Sequence, residues 1–121
     1  MDKPDTRLFK AVNDGDLRKV MALLERGADV NAATKKGNTP FMTAARNGKM
    51  EIVKELLDNH SLDLTLRNRS GKTAYDLAVQ GGHIDVAEMI IGRMAEMRAA
   101  LEIGRKAIEK LRVNFKVNRH E

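Results

Sequence analysis

Three histidines, His60, His83 and His120, are the side chains of this sequence best suited to proton transfer or metal ligation near neutral pH. None stands at a short metal-ligand spacing from another, and the chain has no cysteine, which excludes a thiolate metal site and a disulfide framework alike. Gly71-Lys72-Thr73 imitates the end of a phosphate-binding loop, but the upstream glycine that would complete the cradle is missing. No nucleophile is found at a recognisable spacing from a base. The seven methionines fall at helical spacings and read as core filler before they read as a cofactor box. The chain is therefore expected to be no enzyme, with no catalytic, cofactor-binding or metal-binding residue and no small-molecule substrate.

The elements around these residues must be built from a plain inventory. Among 121 residues there is no tryptophan, one tyrosine and three phenylalanines, so aliphatic packing has to carry the core. The opening Met1-Asp2-Lys3-Pro4-Asp5-Thr6 has no apolar signal segment, and no apolar run approaches the roughly 20 residues that span a bilayer. A soluble, intracellular, cytoplasmic protein is expected. A nuclear adaptor or an effector delivered into a host would look the same.

Laid on itself, the chain repeats. TRLFKAVNDGDLRKVMALL, GNTPFMTAARNGKMEIVKELL and GKTAYDLAVQGGHIDVAEMII bring Gly15, Gly48 and Gly82 into register. Ala11, Ala44 and Ala78 coincide, as do Leu8, Phe41 and Tyr75, and then the pairs Leu23-Leu24, Leu56-Leu57 and Ile90-Ile91. The glycine spacings are 33 and then 34 residues, within the range of stacked-repeat architectures. The additional residue falls in DNHSLDLTL, where Asn59 is expected to adopt a left-handed cap.

Each unit reads as two short helices around a glycine elbow. The Ala44-Ala45 pair lets a neighbouring helix approach, and Gly48 supplies a positive φ that other residues resist. In KMEIVKELL, Met50, Val53, Leu56 and Leu57 form one apolar face at spacings of three and four. Neither helix can bury that face alone, so each unit needs a neighbour. NAATKKGN and LRNRSGK, polar with one glycine each, suit hairpin tips between units.

The segments GNTPFMTAARNGKMEIVKELL, ERGADVNA and GKTAYDLAVQGGHIDVAEMI resemble ankyrin repeats from about Thr6 to Ile91. The departures are Arg7 and Ala74 where that family prefers proline, and Phe9, Met42 and Asp76 where it prefers histidine. The resemblance implies an all-α ankyrin-repeat solenoid over residues 1–92, with repeats at about 5–33, 34–67 and 68–92, followed by a basic helical extension over 93–121. It makes His83 structural. It also implies that the first copy is an amino-terminal cap and the third, with its DLA and IDVAE, a carboxy-terminal cap with a polar outer face. Hairpin tips and first helices of this family form a concave face that recognises another protein. Carried onto this chain, that face comprises Lys35, Lys36, Asn38, Arg46, Asn47, Arg69, Ser70, Lys72 and Gln80. Four of these tip residues are cationic, so an acidic partner surface is expected, and the chain is read as an adaptor or inhibitor.

The tail departs from the family pattern. After Ile90, Met94, Met97, Leu101, Gly104, Ile108, Leu111 and Phe115 follow at alternating gaps of four and three, a heptad seam broken only by the glycine. A helix unbroken from Ile84 to Arg112 would be about 43 Å long. The expectation is that it breaks near Gly92 or Gly104 and folds over the last repeat. The alternatives are an interface with another copy or a partner helix through Met94, Met97, Leu101, Ile108, Leu111 and Phe115, or a tail that orders on binding. Arg98, Arg105 and Arg112 line one flank with no acidic row opposite, which disfavours a homodimeric coiled coil, so a monomer is expected. From Arg93 onward eight basic residues face four acidic ones, most of the net charge of +5. Nucleic acid is disfavoured as a partner because stacking aromatics are nearly absent.

Overall fold

The computed structural model describes the backbone of residues 3–118 and the side chains of residues 3–113. Among these residues the structure is helical and without strands, so the all-α expectation holds. Helices α1 (Pro4–Asp14) and α2 (Leu17–Glu25) form the first repeat and α3 (Pro40–Asn47) and α4 (Met50–Leu57) the second. The third repeat comprises α5 (Ala74–Gln80) and the start of α6 (Ile84–Asn118). By internal contacts the chain divides into Met1–Ile91 and Gly92–Glu121.

Within the first unit the helix pairs stack, with α3 against both α1 and α5, and α2 against α1 and α4. The core is aliphatic: Leu8, Val12, Val20, Ile52, Val53, Leu56, Val86 and Ile90 are buried around Phe41 and Met42. The apolar face of α4 is wider than its spacing suggested. Ile52 joins Val53, Leu56 and Leu57 in the core while Met50 is only half-buried.

The three elbows share one hydrogen-bond pattern. The N–H groups of Asp16, Lys49 and His83 donate to the carbonyls of Ala11, Ala44 and Ala78, each at 2.9 Å. Those of Gly15, Gly48 and Gly82 donate to Val12, Ala45 and Val79. This paired closure requires a left-handed residue, and the φ values of 74°, 69° and 78° at the three glycines explain their recurrence. The next repeat then lies over the elbow. A Cβ on Gly15 would meet the Lys49 side chain, and one on Gly48 would fall on the His83 ring. His83 is thus a packing residue, as its place in the repeat implies.

At two of the departures named above, Met42 and Asp76, the side chain present closes the start of its own helix. Thr39 and Thr73 cap α3 and α5 by accepting the N–H groups of Met42 and Asp76. In return the Thr39 N–H donates to Met42 Sδ at 3.4 Å and the Thr73 N–H to Asp76 Oδ2 at 2.9 Å. That second bond holds the Asp76 carboxyl below the usual carboxylate range, helped by the Thr73 hydroxyl and the Lys72 and Arg67 charges and opposed by burial. A depressed folded pKa stabilises the fold above the unfolded value of about 3.9, and that stabilisation is lost as pH falls through the folded pKa. Thermal melts are therefore expected to be flat from neutrality to about pH 4 and to drop below it. Asp76→Asn, which keeps an acceptor but no charge, is expected to melt lower at pH 7 and to lose less on acidification.

The closing loops are tied within and across repeats by side-chain amides and carboxylates. Asp5 accepts the Asp29 N–H at 2.7 Å, and Asn31 both donates to the Ser61 carbonyl at 2.7 Å and accepts the Asp63 N–H at 2.9 Å. Asp63 in turn accepts the Thr65 hydroxyl and N–H, which lower its pKa in that order. Asn59 does not take the left-handed conformation expected of it; among the described residues only glycines have positive φ. Its Oδ1 instead accepts the Ser61 N–H at 2.8 Å, forming a turn that needs no strained backbone.

The expected break in the last helix is absent. α6 runs for 35 residues, about 52 Å, through both Gly92 and Gly104. Each glycine costs only about 1 kcal/mol, a small charge against a run rich in alanine, glutamate, lysine and leucine. Arg93 with Glu96, Arg105 with Glu102 and Arg112 with Glu109 add ion pairs one turn apart at 3.4–3.6 Å.

Candidate functional site

The hairpin tips are positioned by backbone bonding within and between loops. Thr34 donates to the Asn38 carbonyl at 3.0 Å and Asn68 to the Lys72 carbonyl at 2.9 Å, closing two tight hairpins with Gly37 and Gly71 in left-handed turns. The tips are then joined: the Arg69 N–H donates to the Lys36 carbonyl at 2.9 Å, and Asn68 Nδ2 to Asn38 Oδ1 at 2.9 Å. Gly37 permits this approach, since a Cβ there would lie 3.1 Å from the Arg69 nitrogen. Lys35 and Lys36 are thereby fixed beside Arg69 and Ser70, and all four are exposed. Lys35, Lys36 and Arg69 make no ion pair with a described residue.

The other residues of the expected face divide. Asn38 and Lys72 are half-buried, and Asn38 has a structural duty as the acceptor that ties the tips. Arg46 and Asn47 lie exposed at the end of α3, and with Asn38 they line an open cleft of about 260 Å³. Its remaining walls are Asn13, Met42, Thr43 and Leu77. Gln80, exposed at the end of α5, is outside this lining, as are the tip cations. Asn13 escaped the sequence reading although the register contains the signal, because Asn13, Arg46 and Gln80 occupy one repeat position. The same holds for Thr43, whose counterparts are Lys10 and Leu77.

Beyond Ile91, Met94, Met97, Leu101, Ile108 and Leu111 are all exposed on α6. The Phe115 side chain and His120 lie outside the described residues. Among the described residues no cluster of histidine, aspartate and glutamate is arranged to hold a metal ion, and no described helix is long and apolar enough to cross a membrane.

Stacked helix-turn-helix units with glycine elbows, joined by hairpins whose tips hydrogen-bond to one another, define an all-α repeat solenoid. The chain belongs to the ankyrin-repeat family: the model for ankyrin repeats (3 copies) matches residues 8–103. It is 35% identical over 108 residues to the ARF GTPase-activating protein GIT2 of Homo sapiens, a match covering 86% of this chain and 14% of that protein. It is 33% identical over 104 residues to alpha-latrocrustotoxin-Lt1a of Latrodectus tredecimguttatus, covering 86% of this chain and 7% of the toxin. With the 2-5A-dependent ribonuclease of Mus musculus it shares 41% identity over 75 residues, covering 61% of this chain and 10% of that enzyme. The chain thus spans only a small part of each of these relatives. Ankyrin repeats mark it as a protein-interaction module.

Proposed function

We propose that this chain is a non-enzymatic adaptor or inhibitor that acts as a monomer and binds an acidic surface of a partner protein through its hairpin tips and first helices. The observation that carries this reading is the bonded pair of tips. Lys35, Lys36 and Arg69 are held side by side on a backbone that cannot splay, exposed and without ion pairs among the described residues. Cations fixed in this way lose little freedom when they meet carboxylates and steer an acidic partner at long range. Arg46 and Asn47 beside the 260 Å³ cleft supply a polar wall for a protruding side chain. A cytoplasmic setting belongs to the same reading and rests on the cysteine-free composition.

A second reading is supported by one observation of its own: α6 carries Met94, Met97, Leu101, Ile108 and Leu111 exposed at heptad spacing, which suits docking against another helix. The two readings separate in one experiment. Proteins captured by the full chain are compared by quantitative mass spectrometry with those captured by Lys35→Glu/Lys36→Glu/Arg69→Glu/Lys72→Glu and by a chain ending at Ile91. Loss of the principal partner with the charge reversal and its retention by the truncation is the expected result. The reverse pattern transfers the function to the tail.

A further inference from the structure

The two ends of the repeat stack are built differently, and the repeat register makes the difference measurable. In the second and third repeats, Pro40 and Ala74, Thr43 and Leu77, and Ile52 and Val86 occupy three positions at which the first repeat carries Arg7, Lys10 and Lys19. Those cations are exposed, and with Arg26 and the single anion Asp14 they line an open groove of about 390 Å³. Burying four cations against an apolar neighbour carries a large desolvation cost, so this end is unsuited to an apolar partner.

At the carboxy-terminal end, where a polar outer face is expected, three apolar side chains are exposed. Val79 stands where the first two repeats have Val12 and Ala45, both fully buried, yet it is 42% exposed. Ile91 is 49% exposed where Leu57 is 6% exposed, and Ile84 is 55% exposed where Leu17 and Met50 are half-buried. Gly82 keeps the left-handed elbow, but nothing lies within 4 Å of where its Cβ would be, whereas Lys49 covers Gly15 and His83 covers Gly48. The third repeat therefore presents, more exposed, apolar positions and an elbow that in the first two repeats are buried, half-buried or overlain by a side chain of the successor. In this chain α6 passes Ile91 without the turn that ends α2 and α4, so no further repeat follows among the described residues.

We propose that Val79, Gly82, Ile84 and Ile91 form a second docking face, whose occupant is an ankyrin-type repeat of another polypeptide stacking in register with the third repeat. The interfaces between the first and second and between the second and third repeats define the chemistry of that occupant. It is apolar at the positions of Ala74, Leu77 and Val86 and places a side chain over Gly82 as His83 does over Gly48. The amino-terminal face of a second copy lacks these features, because Arg7, Lys10 and Lys19 would meet Val79, Ile84 and Ile91.

The test uses a probe made from the full chain itself. Arg7→Ala, Lys10→Leu, Asp16→His and Lys19→Val give it the residues of the third repeat on its amino-terminal face, and Ile84→Glu with Ile91→Glu blocks its own far end. Sedimentation of probe with wild-type chain at about 100 μM is expected to show a one-to-one complex, weakened at least about tenfold when the wild-type partner also carries Ile84→Glu and Ile91→Glu. No complex between folded proteins, or one indifferent to Ile84 and Ile91, overturns the proposal. A wild-type homodimer that disappears with Ile84→Glu/Ile91→Glu makes a second copy the occupant and overturns the assignment to another polypeptide. Thermal melts give an independent check without the probe. Ile84→Glu/Ile91→Glu in the otherwise unaltered chain is expected to leave the melting temperature unchanged, and a marked drop contradicts a free face.

Discussion

Phe41→Ala is expected to destabilise the protein by about 3–5 kcal/mol. Phe41 is 2% exposed and is the largest fully buried side chain. It belongs to α3, the helix that packs against both α1 and α5, so its removal leaves a cavity in the middle unit of the stack. Small domains hold only about 5–15 kcal/mol in total, and a stack whose middle unit loosens has no neighbour able to compensate. Tyr75, the counterpart in the third repeat, is half-buried and borders the open end. Tyr75→Ala is expected to cost distinctly less. Urea unfolding of the two variants measures both, and equal losses would contradict the placement of the core.

The elbow glycines provide the second large effect. Gly48→Ala is expected to cost about 1–2 kcal/mol for forcing an alanine into the left-handed region, and about 1–3 kcal/mol more for displacing the His83 ring. Gly82→Ala carries only the backbone cost, because its φ of 78° matches that of Gly48 at 69° while its surroundings are empty. The difference between the two substitutions isolates the contact by which one repeat seats on the next. His83→Ala combined with Gly48→Ala should recover part of the loss, and a double mutant as unstable as the sum of both changes would place His83 elsewhere.

Much of this fold was legible because its signals are local and repeated. Gly15, Gly48 and Gly82 mark conformations that other residues resist, and Thr39 and Thr73 mark helix starts through bonds formed within three residues. The failures arose where the outcome depends on a balance. At Gly92 and Gly104 the turn signal was read as a break, but a penalty of about 1 kcal/mol at each loses to the propensity of a long run and its ion-pair ladder. Asn59 is expected to be a left-handed cap because it falls in the longer closing segment, whereas an asparagine side chain can close a turn through its own oxygen without positive φ. The polar-looking third repeat concealed Val79, Ile84 and Ile91, because the polarity of an end face depends on which residues point outward and not on composition. In the candidate face, the exposed tip cations followed from the hairpin positions. The tie between Asn38 and Asn68 and the cleft wall at Asn13 lie between repeats and emerged only once the units were stacked.

The central claim is that the bonded tips are the recognition surface. Its most direct test is the affinity of the captured partner for the full chain and for Lys35→Glu/Lys36→Glu/Arg69→Glu, measured by calorimetry at two ionic strengths. Electrostatic recognition predicts an affinity for the wild-type chain that weakens with salt, and a loss of about 100-fold or more on charge reversal with the melting temperature unchanged. An affinity indifferent to both salt and reversal would contradict the account and move recognition away from the tips.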